Sequence, residues 1–265
     1  MTDVPGVDTF RVAADAYDRH IGRYGPALAE RLVSTAALRR GQSALDVGCG
    51  PGALTAALAE LLGADNVAAV DPSEPFARAC AERVPGAQVE VGAAEALPFG
   101  DGTFDGALSQ LVVNFMSDAP VGVGEMRRVT RRGGTVAAAV WDYADGMTLL
   151  RLFWDAAAAL DPAAASLDEG VSMPYCRPDE LGDLWRDAGL KDVETSELVV
   201  EAGYSGFDDL WQPLESGVGP SGAYAAALPA EDRVRLRDEL RRRLGAGAGP
   251  FRLTARAWCV VGRVP

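Results

Sequence analysis

Residues 45–54 read LDVGCGPGAL: Gly48, Gly50 and Gly52 follow an apolar run, and Ala53 completes a G-x-G-x-x-A spacing. Such glycines let a ligand approach backbone amides closely, because no Cβ stands between them. An acid, Asp46, stands just before the glycines. A carboxylate there repels a pyrophosphate but attracts an ammonium or sulfonium group, directly or through water. A second acid, Asp71, ends the next apolar run, VAAV, about where a ribose-binding acid is expected. No Gly-Lys-Ser/Thr follows the loop, which excludes a Walker A phosphate cradle. Each acid also has a plain structural reading: Asp46 could bond amides of the glycine turn, and Asp71-Pro72 could simply start a turn.

A ligand carrying positive charge near the loop and a ribose near Asp71 satisfies both acids, and S-adenosylmethionine has both features. The glycine spacing alone also permits an NAD(P)-binding oxidoreductase, and cofactor binding without turnover is a third reading. Four segments in order sharpen the choice: LDVGCGPG at 45–52, VDPSE at 70–74, GAAEALPFGDGTFD at 92–105 and MRRVTRRGGTVAAAVW at 126–141. With these the chain resembles the class I S-adenosylmethionine-dependent methyltransferases, in particular the small-molecule branch similar to ubiquinone/menaquinone biosynthesis methyltransferases. The resemblance covers a little over a third of the chain. It implies that Gly48 and Gly50 line the methionine part of the cofactor, with Asp46 supporting its amino group. It further implies that Asp71 takes both ribose hydroxyls and that Pro72 touches adenine. Ala94 and Glu95 would border adenine, while Ser109 and Gln110 would lie beside the methionine moiety. The family often has Asp or Asn where this chain has Ala93, which leaves adenine more to backbone groups and apolar contact.

The segment AYDRHIGRYG at 16–25 is similar to the family's N-terminal cover, often Y-D-R-x-x-G-R-Y. That similarity implies that Tyr17 and Arg23 approach the methionine carboxylate and that Tyr24 helps close the pocket. An arginine suits a carboxylate through paired charge-assisted hydrogen bonds. His20, the sole histidine, falls at the variable position of that pattern; the ordinary imidazole pKa suits it as a candidate catalytic base, and the alternative is a surface or packing histidine. Methyl transfer from a sulfonium is an in-line displacement in which the cation loses its charge. Alignment and exclusion of water therefore supply much of the acceleration, and a base is needed only for a weakly acidic acceptor. Candidate walls of the acceptor pocket are Tyr143, Met147, Phe153, Trp154, Tyr175, Trp211 and Tyr224. Aromatic walls point to an apolar or aromatic small molecule, of the kind found in secondary metabolism.

The elements that must position these residues follow from periodicity. SALDV, VAAV, QVEVG, FDGALSQ and TVAAAVWD read as strands, with helices between them at Leu54–Leu62, at PFARACAERV and around Val121–Val129, the last leading through RRGG as a connector into TVAAAVWD. This order gives a doubly wound α/β core over roughly residues 40–142. Beyond it come helices through LLRLFWDAAAAL and RPDELGDLWRDAGL, then strands through KDVETSELVVEA and FRLTARAWCVV. The expected fold is α/β, with a mostly parallel Rossmann-like sheet of about seven strands, the last antiparallel, and helical insertions forming a cap. One domain is expected: a helical cover over 1–40, the cofactor core over 41–142, and completing strands with substrate-cap insertions over 143–265. In AEDRVRLRDELRRRL, Leu236, Leu240 and Leu244 make an apolar stripe. Glu231 with Arg235, Asp238 with Arg242 and Glu239 with Arg243 stand at i,i+4, as on a solvated face.

Composition sets outer bounds. A formal net charge of -13 opposes a phosphate-coated partner, so nucleic acid is not expected. The four cysteines are scattered without metal-ligand spacing, which suggests reduced thiols and no metal site. MTDVPGVDTF has no basic region leading into an apolar stretch, and no apolar run approaches a membrane span. The expectation is a soluble cytoplasmic protein with a small-molecule substrate and no membrane partner.

Overall fold

The computed structural model describes residues 19–217, 219–245 and 249–265. Short apolar runs become the central strands β1 (Ala44–Val47), β2 (Val67–Asp71), β4 (Phe104–Gln110) and β5 (Thr130–Trp141). Every residue of β1 and β2 is buried, as strands covered on both faces must be. β3 (Gln88–Val91) is mostly exposed, and its Gln88 and Glu90 suit the sheet edge it occupies. β6 (Lys191–Tyr204) and β7 (Phe251–Arg263) complete seven strands in the order β3-β2-β1-β4-β5-β7-β6. β7 runs antiparallel to both β5 and β6, and the remaining pairs are parallel. The expected α/β sheet with a final antiparallel strand is therefore observed. Strand order reverses between β1 and β4, which opens a crevice at their carboxyl ends.

Helices cover both faces. α1 (Gly25–Ala36) buries Leu28, Ala29, Leu32 and Ala36, a helical stripe that packs against the core. α2 (Ala53–Leu62) follows the glycine loop, α3 (Glu74–Arg83) follows β2, and α4 (Ala119–Val129) precedes β5. The run Ala137–Ala138–Ala139 in β5 is fully buried, so small side chains line the centre of the sheet. RRGG lies within β5 and does not act as a connector before it. The register shifts between Phe104 and Gly106, and a Cβ on Gly134 would lie 2.6 Å from the Asp105 carbonyl oxygen. Glycine there permits the bulge.

After β5 come α5 (Thr148–Leu160), the short α6 (Glu169–Ser172) and α7 (Pro178–Asp187). α8 (Phe207–Glu215), α9 (Gly219–Ala227) and α10 (Ala230–Leu244) are inserted between β6 and β7. α10 buries Leu236 and Leu240 as expected. Its charge pairs differ: Glu239–Arg243 forms at i,i+4, but Arg235 turns to Asp232 and Arg242 to Glu239, both at i,i+3. Nor is the arginine face wholly solvated, since Arg237 reaches Asp208 at 2.6 Å on α8. Among the described residues, no helix is long and apolar enough to cross a membrane.

Candidate active site

The glycine loop is pinned to β2 from both sides. Gly48 and Cys49 donate their amides to the Val70 carbonyl at 2.8 and 3.0 Å. Asp71 accepts the Gly50 amide on Oδ2 and the Ser73 amide on Oδ1, each at 2.8 Å. Asp71 thus performs the turn-holding role that Asp46 could have had. Gly48 has φ +76°, and a Cβ on it would lie 2.5 Å from Val112 Cγ2. Gly50 has φ +51°, and a Cβ on it would meet nothing within 4 Å. Both φ values lie in the left-handed region that favours glycine; a side chain at Gly48 would also clash with Val112, whereas Gly50 borders open space.

Asp46 is fully buried. The Thr55 hydroxyl, on the first turns of α2, donates to its Oδ2 at 2.6 Å, while its Oδ1 has no partner among the described residues. Burial pushes its pKa up to about 7, with the nearby Asp71 charge adding and the Thr55 bond opposing. Burial likewise raises Asp71, against the two amides that stabilise its charge. A buried carboxylate oxygen lacking a donor costs free energy until a cation or donor meets it.

A cavity of about 630 Å³ opens over these residues at the switch point. Its lining brings together Asp46, Gly48, Gly50, Asp71, Pro72, Ala94, Glu95 and Gln110. Glu95 also accepts the Asp118 amide at 3.1 Å at the start of α4, and Gln110 Nε2 donates to the Gly25 carbonyl at 3.2 Å. Ser109 is not part of the lining: it is fully buried and donates to the Val47 carbonyl at 2.9 Å, tying β4 to β1.

The N-terminal turn departs from the expectation. Tyr17 lies outside the described residues. Arg23 does not line the cavity but points to the far side of the turn at Ile21–Tyr24. There it pairs with Asp209 at 3.0 Å, donates to the Gly203 carbonyl at 2.9 Å and lies over the Tyr204 ring. With its donors already engaged, it is not arranged to meet a carboxylate in the cavity. Tyr24 is buried with its hydroxyl 3.1 Å from that of Tyr204. His20 does line the cavity, yet burial and the Arg23 charge lower its pKa to about 3. At neutral pH it is an uncharged imidazole of little basicity, poorly suited to the base role.

Of the expected acceptor walls, Tyr143 lines the cavity. Met147, Phe153, Trp154, Trp211, Tyr175 and Tyr224 do not. Met147, Phe153, Trp154 and Trp211 are buried, and the partly buried Tyr175 and Tyr224 also pack on the core. Aromatic residues at helical spacing here serve the helices' own packing. The wall comes from Trp141, Leu150, Glu169, Gly219, Pro220 and Ser221, together with Leu111, Val112, Phe115 and Met116. Trp141 could have been found, because it closes the fifth strand at the end where ligands bind. Glu169 and Ser221 lie on insertions without any spacing signal.

A doubly wound sheet with a glycine loop, a buried acid and a second acid at its switch point defines a cofactor-binding α/β protein whose ligand carries a cation. Residues 45–138 match the family described as "Methyltransferase domain". A demethylmenaquinone methyltransferase of Roseiflexus castenholzii is 32% identical over 171 residues, 59% of this chain and 70% of that protein. A malonyl-[acyl-carrier protein] O-methyltransferase of Erwinia billingiae is 38% identical over 128 residues, 48% of this chain and 49% of that protein. A solved candidate type II methyltransferase from Anaeromyxobacter dehalogenans has a TM-score of 0.64 at 25% identity, covering 91% of this chain and 97% of that one. The chain spans about half the length of the first curated relatives it matches. It belongs to the class I S-adenosylmethionine-dependent methyltransferases, whose cofactor is S-adenosylmethionine. The residues present fit that cofactor, since Asp46 and Gly50 line one cavity, Asp46 Oδ1 is a buried acceptor lacking a donor among the described residues, and a Cβ on Gly50 would meet nothing within 4 Å.

Proposed function

We propose that this chain transfers a methyl group from S-adenosylmethionine to a small, uncharged, apolar acceptor. The observation that supports it is one continuous cavity running from the Asp46–Asp71 loop to Trp141, Tyr143 and Leu150, with no lysine or arginine among the described residues that line it. A carboxylate or phosphate acceptor would find no cationic partner among these described residues. When bound, S-adenosylmethionine supplies an electrophilic methyl on a sulfonium. Asp46 would hold the amino group through Oδ1, Gly48 and Gly50 would line the methionine part, and Asp71 would hold the ribose. Each Asp71 oxygen accepts a single amide, and a carboxylate oxygen can accept two hydrogen bonds. Pro72, Ala94 and Glu95 would border adenine, and Gln110 would flank the methionine part.

Leu111, Val112, Phe115 and Met116 add apolar wall to the cavity, and a bound ligand that displaces water from such a wall strengthens the electrostatic contacts beside it. In this reading residues 41–142 form the cofactor core. The insertions after residue 143 form the cap that selects the acceptor, and the turn at Ile21–Tyr24 closes the near side.

The test is a thermal shift with S-adenosylhomocysteine against NADH, followed by incubation with labelled S-adenosylmethionine and a metabolite extract. Stabilisation by the first ligand alone, and label in an uncharged metabolite, are the expected results. Stabilisation by NADH would make this an oxidoreductase, and cofactor binding with no labelled metabolite would make it a binding protein.

A further inference from the structure

We infer that Glu169 is the proton acceptor of the methyl-acceptor chamber, and that the chamber takes a neutral molecule bearing a nucleophilic hydroxyl on a ring-shaped apolar body. This rests on the methyltransferase reading above and adds the acceptor atom and its partner.

Glu169 is 4% exposed and lines the cavity. Its side chain has a single hydrogen-bond partner among the described residues, the Trp154 indole, which donates to Oε2 at 2.9 Å. Trp154 therefore orients the carboxyl and leaves Oε1 for a ligand. Two more polar side chains of the same wall lack partners among the described residues: Trp141 Nε1 and Ser221 Oγ, each in a residue 1% exposed. Three polar groups short of partners in an otherwise apolar wall are costly unless a ligand completes them.

The chemistry of the three groups selects the ligand. Trp141 can only donate, Ser221 can do either, and an ionised Glu169 can only accept. A hydroxyl oxygen matches that set, giving its proton to Glu169, accepting from an indole or hydroxyl, and keeping a lone pair for attack. An amine lacks the second lone pair, and an ammonium has no lone pair with which to attack the methyl carbon. Burial raises the Glu169 pKa to about 7; the Trp154 bond opposes the rise, Asp168 adds to it and Arg151 opposes it. The charged and titratable neighbours are Arg151 and Asp168, which pair with one another, and the Cys176 thiol. A base with a pKa near the working pH is well matched to a hydroxyl proton.

In the step, the acceptor's O–H bond breaks toward Glu169 as its oxygen attacks the methyl carbon. One oxygen electron pair forms the new C–O bond, and the pair of the broken S–C bond returns to sulfur. Hydroxyl, sulfonium and carboxylate become methyl ether, thioether and carboxylic acid, and Glu169 afterwards releases its proton to water.

The test uses three probes on one scaffold, 2-naphthol, 2-naphthylamine and 2-naphthoate. Each is titrated by tryptophan quenching into protein loaded with S-adenosylhomocysteine, and each is offered to the enzyme with S-adenosylmethionine. At pH 8, 2-naphthol should bind at least about tenfold more tightly than 2-naphthoate, because the ionised Glu169 repels a carboxylate. Glu169→Gln keeps an acceptor for the Trp154 indole, so cofactor affinity should be unchanged. The naphthol-to-naphthoate ratio should fall to within about threefold, and methyl ether formation by about 100-fold with loss of its rise near pH 7. Trp154→Phe removes the bond that favours the charged form and should move that rise to higher pH.

An unchanged ratio in Glu169→Gln, failure of 2-naphthol to bind, or methylation of the amine in preference to the hydroxyl would overturn the inference alone. Failure of S-adenosylhomocysteine to bind would instead overturn the methyltransferase reading.

Discussion

At the scale of single residues, the two glycines separate folding from binding. Gly48→Ala sets a Cβ 2.5 Å from Val112 at φ +76°. It should lower stability by about 2–4 kcal/mol, from left-handed strain plus overpacking. Gly50→Ala carries the strain without the clash, about 1–2 kcal/mol, but fills cavity space. Thermal melts should rank Gly48→Ala as the less stable. Titration with S-adenosylhomocysteine should show Gly50→Ala binding at least about tenfold more weakly than wild type, a loss of about 1.4 kcal/mol. Equal affinity would mean the cofactor does not approach Gly50. Asp46 gives a pH signature. Its folded pKa of about 7 lies above the ordinary 3.8, so between those values the native chain holds a proton that the unfolded chain has lost. This contribution to stability is complete below about pH 4 and is lost as pH rises through 7. Asp46→Asn removes the slope, so its melting temperature relative to wild type should rise from pH 5 to pH 8. Its cofactor affinity should fall over the same range relative to wild type, because only the ionised acid attracts the amino group. A flat difference in melting temperature would show that Asp46 is already ionised at pH 5.

Among the elements, the Arg23–Asp209 pair ties the turn at Ile21–Tyr24 to α8. The turn places Ile21 and Gly22 on the cavity wall, although Arg23 and Asp209 themselves stay outside the lining. Arg23→Ala and Asp209→Ala should each weaken S-adenosylhomocysteine binding several-fold, and the double variant should be no worse than the worse single one. Additive losses in calorimetric titration would show two independent contacts in place of one clamp. The resemblance assigned Arg23 to the cofactor because a guanidinium suits a carboxylate. What it could not contain is Asp209, 186 residues away, which engages that guanidinium first. Much of the cavity's cofactor side was legible, because Asp46 and Asp71 belong to buried strands whose apolar runs and acids are local features; Ser109 was not, because its hydroxyl turns to the Val47 carbonyl of the neighbouring strand. The acceptor half was not, because Glu169 and Ser221 reach the cavity that Trp141 also lines only through the packing of insertions after β5. Trp154 was read as wall; it is buried beside the cavity and shapes it through its bond to Glu169. RRGG was read as a connector because glycine pairs mark turns, whereas the bulge depends on β4 lying alongside.

The whole molecule carries a formal charge of -13, and its cavity repeats that sign. Asp46, Asp71, Glu95 and Glu169 line it, and the one basic side chain among the described lining residues, His20, is uncharged at neutral pH. A cleft of one sign with low-dielectric walls focuses the field, so the cavity attracts cations more than the surface charge alone would. S-adenosylmethionine has a net charge of +1 from its sulfonium, ammonium and carboxylate, whereas S-adenosylhomocysteine has none. The field therefore favours the methyl donor over the spent product, and it acts over distances that mobile ions screen. At about 0.02 M salt the screening length is more than 20 Å, and at about 0.5 M it is near 4 Å. Raising salt between these values should weaken S-adenosylmethionine binding by about three- to tenfold, or roughly 0.7–1.4 kcal/mol. S-adenosylhomocysteine, held through the same local contacts, should change by less than about twofold. Isothermal titration of both ligands at both salts measures the difference. Parallel shifts would mean that local contacts alone distinguish donor from product. Divergence would mean that the acidity of the fold helps load the donor and release the product, with no residue beyond those lining the cavity required.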